Sequence, residues 1–449
     1  MKHFFSLLLL FLSFSGYAQT AIVRQDPAIQ KMVEDVSAEN IEAIVRKLVS
    51  FGTRHTLSDT TSKKRGIGAA RAWIKSEMER YATASNGRLQ VTYDAFVQPA
   101  DGRRVPQPTT LKNVLATLKG TDPNDPRIYI VSGHYDSRAS DVMDAKIEAP
   151  GANDDASGTA VAMELARVMS QRSFPATIIF VAMVGEEQGL YGATHLAERA
   201  REEGWHVDAM ITNDIVGNSY GMETGLKDNR SVRVFSEGVP AAETEESARI
   251  RTSVGGENDS PAREVARYMK EVGERYVPQL DVKLIYRRDR YLRGGDHTPF
   301  SREGFAAVRV TEMNEDFTRQ HQDIRTEEGV DYGDLPDFVD YDYTQKVARM
   351  NLATLANLAS APGAPQQVGI VTANLTNRTT LRWEAPEGKA PAGYYVLMRE
   401  TTSPFWEQKF YVTGTEDTLD YSKDNYFFAV QSVDAAGHES LPVFPNPMR

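Results

Sequence analysis

The sequence predicts an α/β fold, a mostly parallel mixed sheet flanked by helices, followed by a small all-β sandwich. Three observations predict it. Apolar runs such as "RIYIVSG" and "ATIIFVAMVG" read as strands buried on both faces. They alternate with amphipathic stretches long enough for helices of roughly 10–15 residues. Past the Pro/Gly break "APGAPQQ" the pattern changes to short alternating strands separated by turn residues, the spacing of a β-sandwich.

Residues 26–50 read as helical, with Ser37 capping "AENIEAIVRKLVSF" and Ile41, Ile44, Val45 and Leu48 on one face. A second helix spans about 63–81, carrying Ala69, Ala70, Trp73, Ile74 and Met78. "LQVTYDAFVQ" and "TLKNVLATLKG" read as strands, and "RIYIVSGHYDS" as a buried strand ending at its glycine. Then come the helix "SGTAVAMELARVMSQ", the strand "ATIIFVAMVG", the helix "YGATHLAERAREEG" and the short strand "VDAMITNDIVG". Residues 220–260 are polar and rich in Glu, Gly and Ser, so they read as an irregular surface excursion. Ser260-Pro261 opens a helix to about Tyr276. "LDVKLIYRRD" and "FAAVRVTE" are further strands, and "YDYTQKVARMNLATLANLAS" is a closing helix.

The boundaries that follow are 1–18 for an export signal, 19–361 for the α/β domain and 365–449 for the sandwich. The signal has Lys2 and His3, the apolar core "FFSLLLLFLSFS", and small residues before Gln19. The expected destination is the periplasm or the cell exterior. No later stretch approaches the roughly 20 apolar residues of a membrane span, so no membrane insertion is expected. The chain has 449 residues and no cysteine, which excludes disulfides and a lipid-bearing cysteine. A net charge of -11 argues against nucleic acid and anionic membrane as partners.

Several polar residues fall where ligands collect in such folds, beyond the carboxyl ends of the strands. His134, Glu186, Glu187 and Asp214 reach one sheet edge, and the loop carrying Asp154-Asp155 begins there. Alone, an aspartate pair before a helix is most simply a cap. Together, imidazole and carboxylate without thiolate suit zinc or a related divalent ion. Charge balance favours two: Asp154, Asp214 and Glu187 with one bridging hydroxide neutralise two divalent cations, and ions about 3.5–4 Å apart need a shared carboxylate.

In extended chain, positions i and i+2 share a face, so Asp136 can accept the second ring N–H of His134 and fix its tautomer. Adjacent residues in extended chain point apart, so of Glu186 and Glu187 one should bind metal and the other face substrate. A carboxylate beside a metal-bound water is placed to take its proton. His195, on a helix, and His206, in a turn, read as surface residues.

"GHYDS", "APGANDDASG", "VGEEQGLYGATH", "ITNDIVGN" and "RQHQDIRT", in that order, resemble the M28 family of zinc aminopeptidases over roughly residues 35–360. The resemblance implies two zinc ions, one held by His134 and Asp214, the other by Glu187 and His321, with Asp154 bridging. It makes Glu186 the general base, Asp136 the residue orienting His134, and the Asp154–Asp155 bond a cis peptide. It assigns the fifth ligand to His321 in preference to His297 of "GGDHTPF", and implies peptide substrates with a free N-terminus. Tyr291, before that loop, reads as exposed or packed in preference to catalytic. "LRWEAP", "GYYVLMRE" and "YFFAVQSVDAAGHES" resemble a fibronectin type III module, with Trp383 in its core and Tyr426 at its buried-tyrosine position.

The competing expectations on the same fold are a one-zinc glutaminyl cyclase and a carboxypeptidase. From another class comes an inert peptidase fold that serves as a binding protein.

Overall fold

The strand-like runs assemble into one eight-stranded sheet in the computed structural model, which describes residues 24–373 and 375–449. The export signal read in residues 1–18 lies outside the described residues.

The expected first helix is two, α1 (Pro27–Glu34) and α2 (Ala38–Val49). The chain breaks between them because Ser37 adopts extended backbone and accepts the Asn40 amide at 3.1 Å. A later helix anchors the break: Glu164 accepts the Ser37 amide at 2.8 Å and Arg167 donates to the Asp35 carbonyl at 2.7 Å.

Next come α3 (Gly66–Ala82), β1 (Leu89–Gln98), β2 (Thr109–Leu118), β3 (Arg127–His134), α4 (Gly158–Met169), β4 (Thr177–Met183), the single turn α5 (Glu186–Gly189), α6 (Tyr191–Glu202) and β5 (His206–Asn213). A small hairpin, β6 (Tyr220–Gly221) and β7 (Leu226–Lys227), leads to β8 (Ser231–Ser236), α7 (Glu245–Val254), α8 (Pro261–Tyr276) and β9 (Asp281–Ile285). The domain finishes with α9 (His297–Arg302), β10 (Ala307–Glu312), a second hairpin of β11 (Arg325–Glu327) and β12 (Val330–Tyr332), and α10 (Tyr341–Ser360).

The sheet order is β1-β2-β4-β3-β5-β10-β8-β9. Its centre, β4-β3-β5-β10, is parallel, while β1, β2 and β8 pair antiparallel with their inner neighbours. Strand alternation sorts side chains to two cores. On β4, Ile178, Phe180 and Ala182 face the core under α4, α8 and α10, whereas Ile179, Val181 and Met183 face α6 and α9.

Residues 220–260 depart from the expected irregular excursion. They hold β8, whose Val232 and Val234 are fully buried between β10 and β9, and the capped helix α7. The two valines share one face of the strand and pack into the core with Val265, Ala266 and Met269 of α8, while β10 and β9 satisfy its backbone on either side.

Beyond α10, β13 (Gln366–Val371), β14 (Thr379–Glu384), β15 (Gly393–Glu400), β16 (Gln408–Val412), β17 (Glu416–Leu419), β18 (Tyr426–Val433) and β19 (Asn446–Met448) form two sheets, β17-β14-β13-β19 and β16-β15-β18. Trp383 is buried between them, edge-on to Tyr394 at 5.4 Å. Tyr426 is half-buried against Tyr421. Charged contacts fasten these sheets to the α/β part: Arg399 to Asp259 at 2.7 Å, Arg275 to Glu439 at 2.9 Å, and Trp406 Nε1 to Glu264 at 2.8 Å.

Candidate active site

Three strand ends build the site. β3 closes on Gly133-His134, and a Cβ at Gly133 would stand 2.2 Å from the Gly158 carbonyl carbon, so glycine is what lets α4 start against the strand. Asp214 follows the last residue of β5. After β4, Gly185 takes φ +73 and turns the chain into α5, which carries Glu186 and Glu187. The extended geometry expected for these two is therefore replaced by a helical turn, where neighbours diverge by roughly 100°. Gly185's turn and the Asp136 carboxylate impose it, for that carboxylate accepts the amides of Glu186 at 3.4 Å and Glu187 at 3.2 Å.

The structure brings His134, Asp154, Asp214, Glu187 and His321 together. Among the described residues, two groups of three can hold an ion: His134, Asp154 and Asp214, and Asp154, Glu187 and His321. Asp154 belongs to both. Its Oδ1 lies 3.2 Å from His134 Nε2 and its Oδ2 3.0 Å from His321 Nε2. His321 Nε2 is also 3.0 Å from Glu187, and His134 Nε2 is 3.9 Å from Asp214. Donors about 2.0–2.2 Å from a tetrahedral ion stand roughly 3.4 Å apart, so the donor set fits a divalent cation on each side of Asp154.

The electrostatics point the same way. Burial works against a charged His134, but the carboxylates of Asp155, Asp136 and Asp154 outweigh it and hold the imidazole well above its ordinary value. Burial likewise opposes a charged His321, and Glu187 and Asp154 raise it to about 10. Both imidazoles thus sit where positive charge is strongly favoured. Asp296, in the "GGDH" loop, has no hydrogen-bond partner on either carboxylate oxygen among the described residues, and burial pushes it up to about 7.

Asp136 does more than the sequence expected. His134 Nδ1 lies 3.2 Å from its carbonyl oxygen and 3.5 Å from its carboxylate, which also accepts the Thr56 hydroxyl at 2.8 Å. The backbone oxygen is therefore the nearer partner of the ring, leaving the carboxylate for α5.

Asp154 and Asp155 are joined by a cis peptide bond. Asp155 keeps the capping role: it accepts the Gly158 amide at 3.0 Å, the His134 amide at 2.9 Å and the Ile215 amide at 3.2 Å. It ties the end of β3, the start of α4 and the exit of β5 into one knot.

His297 is buried and belongs to neither donor group, with Nε2 2.9 Å from the Arg288 carbonyl. Tyr291 is 81% exposed, with Arg287 over its ring. His195 pairs with Asp94 at 3.1 Å and His206 with Asp208 at 2.9 Å, both apart from the site.

Sequence reasoning missed the supports. Asp334 accepts the amides of Asn153 at 2.8 Å and Asp154 at 2.7 Å. Arg54, fully buried, donates to the carbonyls of Tyr135 and Gly151 at 2.7 and 2.8 Å. Arg309 Nη2 lies 3.0 Å from Asp214. Arg309 carried a signal, since a charged residue between Val308 and Val310 in a buried strand requires a partner.

A cavity of about 300 Å³ opens over the donors, lined by Glu186, Glu187, Asp154, Asp214 and His321 together with arginines. Imidazoles and carboxylates gathered at the carboxyl edge of an α/β sheet, beneath such a cavity, define a metal-dependent hydrolase. The chain belongs to peptidase family M28, whose model matches residues 113–354, and it is a metallopeptidase.

Among its relatives is a protein of Leptosphaeria maculans named "Probable zinc metalloprotease", 51% identical over 95% of this chain and 99% of that one. A second, of Pyrenophora teres f. teres and of the same name, is 49% identical over 94% of this chain and 87% of its own. Among solved structures, the LapA aminopeptidase of Legionella pneumophila superposes with a TM-score of 0.53 at 18% identity, over 79% of this chain and 80% of that one. At that identity the likeness concerns the fold.

Proposed function

We propose that the protein is an exported aminopeptidase that uses two zinc ions to hydrolyse the first peptide bond of substrates with a free N-terminus. The observation that carries this reading is the pair of donor triads sharing Asp154. Zinc is supported by the name of the relative at 51% identity, and aminopeptidase action by that of the LapA neighbour. Residues 365–449 are read as a fibronectin type III-like module that props the peptidase domain.

When bound, the two ions supply an activated water and an electrophile for the scissile carbonyl. His134, Asp154 and Asp214 would hold one ion, and Asp154, Glu187 and His321 the other. Glu186 lines the cavity without belonging to either triad. Burial raises its carboxyl well above the ordinary range, against the pull of His134 and with the help of the Asp214 and Glu187 carboxylates. Beside two bound cations its carboxylate would be ionised and placed to take a proton from the attacking water and return it to the departing amine. Asp136 orients His134 through its carbonyl and the Glu186-Glu187 turn through its carboxylate.

The test is hydrolysis of aminoacyl p-nitroanilides by chelator-stripped protein titrated with zinc, beside N-acetylated copies of each substrate. The reading expects activity to return as two equivalents bind and to require the free amine. Equal cleavage of the acetylated substrates, or full activity at one equivalent, overturns it.

A further inference from the structure

The walls of the cavity above the donors are unusually cationic. Arg104, Arg138, Arg290 and Arg293 line it, arriving from the β1–β2 connection, the segment after β3 and the loop between β9 and α9. Arg290 is spent on protein partners, Glu315 at 2.6 Å and Asp289 at 3.1 Å. The other three pair with no carboxylate among the described residues. Arg104 donates to the Glu187 carbonyl at 2.6 Å, which fixes its guanidinium beside the site, and Arg138 reaches only the Ala139 carbonyl at 3.3 Å.

Two divalent ions with a bridging hydroxide and the four carboxylates that line the cavity leave one negative charge, which three guanidinium groups outweigh, so the cavity keeps an excess of positive charge. Apolar lining is correspondingly scarce, and Ile215 is its one aliphatic side chain. A pocket shaped for a large apolar residue is walled mainly by hydrophobic and aromatic side chains. Unpaired guanidinium groups beside a reaction centre instead match a carboxylate, which they bind in a planar fork.

We propose that Arg104, Arg138 and Arg293 form an anion subsite, and that the enzyme prefers peptides bearing a carboxylate next to the scissile bond. The inference rests on the peptidase reading above and adds the class of substrate. The carboxylate has two sources, an acidic first residue or the free C-terminus of a dipeptide.

Two substrate pairs separate them: Glu-Gly-amide against Gln-Gly-amide, and Leu-Gly against Leu-Gly-amide. Each is assayed with the zinc-loaded chain and with its Arg138→Gln and Arg293→Gln variants. Charge-assisted hydrogen bonds of this kind predict at least about a tenfold kcat/KM preference for the anionic member of one pair. That preference should fall to about threefold or less in either variant. The pair that responds identifies the source. Comparable rates within both pairs, or a preference untouched by both substitutions, overturns the subsite while leaving the peptidase reading intact. Binding of the same four peptides to zinc-loaded Glu186→Gln protein, followed by calorimetry, reads the preference without turnover. If no peptide is cleaved, the peptidase reading fails, and the calorimetric ratios still uphold or overturn the subsite.

Discussion

The carboxylate of Asp136 accepts the Glu187 amide at 3.2 Å, while the carbonyl of the same residue lies 3.2 Å from His134 Nδ1. One residue therefore holds a ligand of each candidate metal triad, His134 by its ring and Glu187 by its backbone. Asp136→Asn keeps the carbonyl and the shape but removes the charge facing α5. Loss of such outer support lowers metal affinity or activity about 10–100-fold. Zinc titration against a chromophoric chelator, with kcat/KM alongside, should show that loss. Wild-type affinity together with wild-type activity would contradict it.

Glu186→Gln removes the proton carrier and leaves both triads intact. Turnover of a free-amine peptide should fall about 10²–10⁴-fold with the zinc content unchanged. A variant that keeps wild-type kcat would remove Glu186 from the chemistry.

How far the site was legible depends on where each residue's signal lay. His134 and Asp214 could be read because apolar strands lead straight to them, and Asp154 because its loop starts at the same edge. His321 sits in a loop whose local sequence points nowhere, and only the order of motifs identified it. The Glu186-Glu187 turn was misread as extended because what bends it, the Asp136 carboxylate, lies fifty positions earlier in the chain. β8 was passed over for a related reason. "SVRVFS" is an ordinary short strand whose pairing with β10 and β9 and packing in the core with α8 are non-local, and its polar surroundings hid it. The four cavity arginines come from three separated segments, only Arg290 and Arg293 sharing one, so no single stretch of sequence announced them all.

Stability should be sensitive at the strand–helix contact beneath the site. A methyl at Gly133 meets the backbone of Gly158 and Thr159 at 2.2–2.3 Å, atoms that cannot yield without moving α4. Gly133→Ala should cost on the order of 1–3 kcal/mol or more, read as a lower urea midpoint with unchanged slope. An unchanged midpoint would show that α4 is free to shift.

The junction between the N-terminal segment and the C-terminal sheets should respond to pH. His438 Nδ1 contacts Asp434 at 3.0 Å and its Nε2 contacts Asp26 at 2.8 Å. Burial lowers the imidazole, but those two carboxylates outweigh it and raise its pKa above the ordinary value. A histidine raised on folding contributes stability fully present below the unfolded value, about 6.5, and lost as pH rises through the folded value. The Tm difference between wild type and His438→Gln should therefore be widest below about pH 6.5 and close at higher pH. A gap that is constant or grows with pH would contradict this pairing.

The central claim is that Asp154 is shared by two ions. Zinc-edge anomalous diffraction from crystals of the zinc-loaded protein tests it most directly. The account predicts two peaks flanking the Asp154 carboxylate, one beside His134 and Asp214, the other beside Glu187 and His321. A single peak, or a second one remote from Asp154, would contradict it.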